Sequence, residues 1–581
     1  MNRRNLIKSL AIGSGALVAG TFPYFSKAGT IVSRQSHKLS GKEFHADIII
    51  AGGGLGGCAA ALAELRNGLS VIMTEETDWI GGQLTQQGLS CPDENQWIEH
   101  FGCTQSYRDL RTAIREYYLR YYPLTEAAST MKYFNPGNGT VSRLCHEPRV
   151  ALAALYEMLM PYLSSRKLIL LLNHKALSAD VDNDKVKALK VQNLRDGNVV
   201  VLSAPYFIDA TELGDLLPLT GTEYITGTES RQQTHELHAA EKADPANQQA
   251  FTLCMAMDYI EGTNNVTDKP EEYDFWKNYV PQLTPPWSGH LLNLKYSNPR
   301  NLESKLLGFN PTGIPTDHIL NLWNYRKIID PDNFKPGTHS GGITIVNWPQ
   351  NDFLLGNLVE VSEKEYKNTI RRTEQLSLSL FYWLQTEVSR SGGGQGWPGL
   401  RLRGDILGTE NGLAKFPYIR ESRRIKAVFT ILEEHVGAEN RVMVAGRREG
   451  KHAADFYDSV GVGYYSIDLH PTSGGNNYID ISSLPFQIPL GALLPQRMRN
   501  ILPGCINIGT THITNGCYRL HPIEWNIGES SGLLVAYAIK NGMDPHNIRE
   551  NKSVLESFQK WIRLQGVETQ WPLSVVKQQT L

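Results

Sequence analysis

The stretch 45-HADIIIAGGGLGGCAAALAELRNGLSVIMTEE-76 decides the fold class. Ile48 to Ala51 form a short, unbroken apolar run, which is how a strand buried on both faces of a parallel sheet reads. Gly52, Gly54 and Gly57 follow at G-x-G-x-x-G spacing, with Leu55 and Gly56 between them. Ala59, Ala60, Ala61, Leu62 and Leu65 continue as a helix whose small residues suit close approach to a sheet. Val71 to Thr74 make a second strand, and Glu75 and Glu76 close it about twenty residues beyond the glycines. Each part has a physical task. Gly52 permits the tight turn, Gly54 lets the backbone approach a pyrophosphate, and Gly57 allows the helix to pack on the strand. The helix start attracts the phosphates, and Glu75 accepts hydrogen bonds from ribose hydroxyls. The order strand, glycines, helix, strand, acid predicts a dinucleotide-binding α/β domain. Glu75 argues against a 2′-phosphate and leaves NAD or FAD.

Two later stretches favour FAD. Gly81, Gly82 and Gln83 in "TDWIGGQLTQQG" resemble the turn that many flavoproteins place near the pyrophosphate and ribityl chain. Near the C-terminus, Ile501 to Ile508 read as another strand. Gly528, Glu529 and Ser530 then read as the opening of a helix. That pairing resembles the closing segment of glutathione-reductase-type FAD domains, where a helix start faces the flavin pyrimidine and favours negative charge there. No second glycine fingerprint follows a strand, so a separate NAD(P)H domain is not expected. "SGGGQGWPG" follows an aromatic, helical segment and reads as a loop.

Composition bounds the remainder. With 581 residues, the chain is long enough for two or three domains. Its net charge of −2 gives no electrostatic reason to expect nucleic acid. Its seven cysteines make no disulfide framework at this size. CxxC, CxxCH and HExxH motifs are absent, so no metal site, cluster or attached haem is expected. Cys91 and Cys103 follow the second strand, but no motif for covalent flavin attachment accompanies them. Cys58, behind Gly57, reads as a small buried hydrophobe.

At the N-terminus, Arg3 and Arg4 precede a glycine-interrupted apolar run that is too short to span a bilayer. The pattern predicts a twin-arginine signal at 1–28, ending at Ser26-Lys27-Ala28, and a periplasmic or secreted destination reached through the twin-arginine translocase. That route carries folded proteins, which suits one loaded with a cofactor beforehand.

"PYFIDATELGDLLPLTG" carries Ala210-Thr211, followed by Glu212 where glycine is commoner. With "GGITIVNWPQNDF", "FPYIRESRRI", "YDSVGVGYYSIDLH", "LPFQIPLGALLP" and "THITNGCYRLHP", the chain resembles the bacterial FAD-dependent oxidoreductase family, some of whose members are labelled xanthan lyase-like. The resemblance runs over about residues 45 to 540. It implies an α/β fold: a Rossmann-like FAD-binding domain of glutathione-reductase type with an inserted α+β substrate or cap domain. The expected boundaries are a linker at 29–44, FAD domain at 45–225 and 485–545, cap at 226–484, and a helical tail at 546–581.

Chemistry is expected along Thr510 to Glu529, next to the flavin-facing helix. His512 or His521 can serve as a base near neutral pH, Arg519 can clamp a carboxylate or polarise a carbonyl, and Tyr518 lies beside them. The same histidines also fit plain core or cofactor-holding roles. Asp468 and His470 alternate on an apparent strand and can form an oriented base or a salt link. Arg420, Arg423 and Arg424 fit either a substrate clamp or a solvated helix face. The expected function is an exported dehydrogenase or oxidase taking a hydride from a small polar or carbohydrate-like substrate. A non-redox lyase or isomerase, or a flavin subunit passing electrons to a partner, stands beside it. Oxygen, a quinone or a redox protein would accept the electrons.

Overall fold

The opening motif folds as read. Strand β1 (Ile48–Ala51) leads through the glycines into helix α1 (Leu55–Arg66), and β2 (Val71–Glu75) returns alongside β1 in parallel. The computed structural model describes residues 42–313, 319–572 and 574–575. The expected signal peptide at 1–28 and the linker through residue 41 lie outside the described residues. At the end of the expected linker, Lys42–His45 is a strand running parallel to Val199–Ser203, and Phe44 packs against a cluster containing Leu189 and Leu202.

β3 (Leu168–Leu172) and β4 (Tyr206–Asp209) extend the sheet in parallel on either side. The apolar run of β1 has a direct cause. Ile48 and Ile50 join one core cluster, while Ile49 and Ala51 join another, so both faces of the sheet are covered.

A long excursion builds a second, antiparallel sheet. Its strands are β5 (Met255–Tyr259), β6 (Lys327–Ile329), β7 (Ile343–Val346) and β8 (Leu400–Leu402), in the order β6-β7-β5-β8. Helix α2 (Glu363–Thr386) matches the helical spacing of its sequence and starts with a Ser362–Glu365 capping box. The glycines at 391–396 form a turn before β8, as expected. The solvated-helix option for the arginine triplet fails. That segment is extended, and Arg420 and Arg424 are 1% and 0% exposed. β9 (Ile467–Leu469) follows, paired with Ile479–Ile481.

The chain then re-enters the first sheet. β10 (Ile501–Pro503) pairs in parallel with β4 and completes the order β10-β4-β1-β2-β3. It is shorter than the 501–508 expectation. Helix α3 (His521–Asn541) opens at His521 with Pro522 in its first turn, so residues 528–532 lie mid-helix. Their small side chains serve packing. A Cβ on Gly528 would overlap the Gly56 carbonyl, and one on Gly532 would meet the Ala60 carbonyl at 2.7 Å. No helix among the described residues is long and apolar enough to cross a membrane.

Candidate active site and cofactor cradle

The carboxyl ends of β1, β2 and β4 converge on a narrow cavity lined by Gly52, Thr74, Glu75, Glu76, Ala210, Thr211 and Glu212. Gly52 has φ +99°, and a side chain there would strike the Ala210 carbonyl. Glu75 accepts the Gly53 N–H at 3.0 Å and both the N–H and hydroxyl of Thr77 at 2.8 and 2.9 Å. Burial pushes its carboxyl up to about 7. Glu76 pairs with Lys175 at 3.0 Å. Thr211 donates its hydroxyl to Asp209 at 2.7 Å, which fixes the turn after β4.

The loop after β2 carries this cradle onward. Gly81 and Gly82 both have positive φ, and the next turn places Gln83 within 3.0 Å of the Arg519 carbonyl, to which it donates. Several buried polar atoms along this path have no hydrogen-bond partner among the described residues: Gln83 Oε1, Gln87 Oε1 and Glu212 Oε1. Buried polar atoms are seldom left unsatisfied, so this set marks a ligand path. An acid ending β2, a helix start flanked by Leu55, Gly56 and Gly57, and unsatisfied amides beyond fit an adenosine, a pyrophosphate and a polar ring system in that order.

The other expected cofactor residues are placed differently. Gly528 touches Gly56, Glu529 accepts the Ser106 hydroxyl at 2.5 Å, and Ser530 donates to the Val460 carbonyl at 2.7 Å. They hold α3 in place and open no helix.

Beyond the Gln83 turn lies a cavity of about 420 Å³. Its lining includes Arg326, Arg420, Asp468, His470 and Arg519, with Tyr325, Tyr418, Tyr465 and Tyr478. Every arginine there faces an aspartate. Arg300 lies 3.3 Å from Asp480, Arg326 3.6 Å from Asp93, Arg420 3.0 Å from Asp352, and Arg519 3.0 Å from Asp468. Arg519 also donates to the Tyr418 hydroxyl at 2.9 Å. Contacts with His470 and Arg519 hold the Asp468 carboxyl well below the usual range despite its burial. Arg420 and then His470 do the same for Asp352.

His470 sits just past β9. Its Nδ1 donates to Asp352 at 2.6 Å, and its Nε2 stands 3.7 Å from Asp468. The orienting acid is therefore chiefly Asp352, 118 positions away, and only secondarily the strand neighbour. The other expected catalytic residues do not line this cavity. Tyr518 stacks on Phe486 and donates to the Gln487 carbonyl at 2.7 Å. His521 accepts the Asp93 N–H on Nδ1 at 3.2 Å and donates from Nε2 to the Leu89 carbonyl at 3.1 Å. Both of its nitrogens are thus engaged, and burial lowers the imidazole to about 4. His512 pairs with Glu421 at 2.9 Å beside a smaller, separate cavity. They are close in sequence to Arg519, but the direction of each side chain is set by packing.

The residues missed by sequence reading are Asp93, Arg326, Asp352, Tyr325, Tyr465 and Tyr478. One signal was available for Asp352. Gln350, Asn351 and Asp352 form a polar triplet inside an otherwise apolar segment, and all three are buried.

A family model described as FAD dependent oxidoreductase matches residues 47–561. The chain belongs to this family. It is an FAD-dependent oxidoreductase, and FAD is its cofactor. Among solved structures, it is similar to a mutant of the E. coli quinol fumarate reductase FrdA, at 10% identity and TM-score 0.32, covering 90% of this chain and 74% of that one. A geranylgeranyl bacteriochlorophyll reductase-like protein from Thermoplasma acidophilum gives 11% identity and TM-score 0.29, with coverage of 91% and 85%. L-proline dehydrogenase from P. horikoshii gives 16% and 0.16, with coverage of 33% of this chain and only 25% of that one. No curated protein sequence matches the chain.

Proposed function

We propose that this FAD enzyme is an exported dehydrogenase or oxidase that takes a hydride from a small, uncharged, polyhydroxylated substrate of carbohydrate type. One observation carries the reading: each arginine around the 420 Å³ cavity is neutralised by an aspartate. An anionic substrate needs an arginine without a protein partner, because a buried charge is stable only when paired. Paired Arg–Asp groups instead offer adjacent donors and acceptors, which suit neighbouring hydroxyls, and the tyrosines supply flat walls for a ring.

Bound FAD supplies the hydride acceptor. The protein's own contribution is orientation and proton handling. Asp352 holds the His470 ring by Nδ1, which leaves Nε2 as the atom that takes a hydroxyl proton. Arg519 and Tyr418, tied to one another, fix the substrate oxygen. In this reading, the first sheet belongs to a discontinuous FAD domain of glutathione-reductase type, and the excursion at 226–484 is its cap. The arginine pair at the N-terminus directs the folded, loaded protein to the periplasm. Oxygen, a quinone or a redox protein reoxidises it.

A screen under argon tests the substrate class. Neutral sugars and polyols are expected to bleach the oxidised-flavin absorbance, and small carboxylates are expected to leave it. Bleaching by carboxylates alone would overturn the reading.

A further inference from the structure

Two carboxyls from distant parts of the sequence meet at the first turn of α1. Glu524, on the first turn of α3 and 1% exposed, accepts the Gly56 N–H at 3.3 Å and the Gln83 amide. Glu212, from the turn after β4, brings Oε1 within 2.7 Å of the place where a Gly54 Cβ would stand and 3.1 Å of that of Gly82. That oxygen is buried and accepts no hydrogen bond from the described residues. Gln87 nearby is 0% exposed, and its Oε1 has no partner among the described residues. The lysine of the adjoining cavity, Lys175, pairs with Glu76 and Asp215 instead.

A helix start attracts a pyrophosphate, which brings negative charge of its own. Two ionised carboxylates on the same turn would repel it at close range. We propose that FAD binding is coupled to uptake of one proton from solvent by the Glu212–Glu524 pair, so that the cofactor meets a carboxylic acid and one fewer negative charge.

The surroundings agree. Burial raises both groups, Glu524 to about 7 against the hydrogen bonds from Gln83 and Gly56, and the Glu524 charge raises Glu212 further against its contact with Gln87. The other titratable groups facing the pair are Glu75 and Glu76 from the end of β2, Asp209 of β4, Cys58 of α1 and Cys505 after β10. The acids add negative charge, and burial keeps the thiols protonated.

The test is calorimetric titration of flavin-depleted protein with FAD from pH 6 to 9, in two buffers of different ionisation enthalpy. Wild-type protein is expected to take up close to one proton per FAD near pH 8. Its affinity should fall by up to about tenfold per pH unit above neutrality. Glu212→Gln, which removes the charge and keeps the shape, is expected to bind FAD with little pH dependence and little uptake, and tightest relative to wild type at high pH. Glu524→Gln is the second variant, and the wild-type buffer pair decides alone if neither variant folds. An absence of uptake in wild type, or undiminished uptake in Glu212→Gln, would overturn the proposal. Either result leaves FAD binding itself intact, since both are read on bound flavin.

Discussion

Glu64 is buried on α1 with neither carboxyl oxygen hydrogen-bonded. Burial, and then the Asp47 charge, hold it protonated well above the usual glutamate range. An acid raised on folding stabilises least at high pH. Its penalty starts near the ordinary value of 4.5 and grows as pH rises toward the folded value. Glu64→Met, similar in length and without charge, is expected to raise stability at neutral pH by about 1–3 kcal/mol. Denaturant melts should show the gain shrinking toward pH 4.5. An equal gain at every pH would mean that this carboxyl does not titrate on unfolding. At the same scale lies the clearest limit of the sequence. Gly52, Gly54, Gly57 and Glu75 are legible because their tasks are local to one strand–turn–helix–strand unit. Asp352 orients His470 across 118 positions, and no local pattern announces such a partner.

At the scale of elements, β1, α1, β2 and α2 were readable from apolar run length and helical spacing. Helix α3 was readable in kind and misplaced at its start. Pro522 marks the first turn, whereas Gly528 to Gly532 look like a helix opening only until Gly56 and Ala60 of α1 are seen packed against them. The arginines at 420 and 424 could not be told from a solvated face, because Asp352 and Glu229, which help to bury them, lie on other segments. The α1–α3 contact carries a sharp prediction. Gly528→Ala has no room beside the Gly56 carbonyl, and overpacking of this kind costs roughly 1–3 kcal/mol or more. The variant should lose thermal stability and FAD content together, because α1 also forms the phosphate turn. Normal flavin content with a normal melting temperature would show that the two helices part freely.

At the scale of the whole molecule, Gln83 joins the two working regions. Its amide donates both to Glu524 of α3, which also accepts the Gly56 N–H of α1, and to the Arg519 carbonyl, at the wall of the large cavity. The cofactor path therefore leads to the cavity in which His470, Arg519 and Asp468 gather. The sequence offered Arg519 and His470 together with His512, His521 and Tyr518, and the fold brings the first two to this cavity. Only the fold separates the two groups. The most direct measurement is anaerobic rapid mixing of wild-type protein and His470→Gln with the neutral sugar or polyol that bleaches the flavin. Equal flavin content with reduction slowed by about 10²- to 10⁴-fold in the variant is the predicted result. Unchanged reduction in a variant that retains its flavin would place the chemistry elsewhere and contradict the assignment of this cavity.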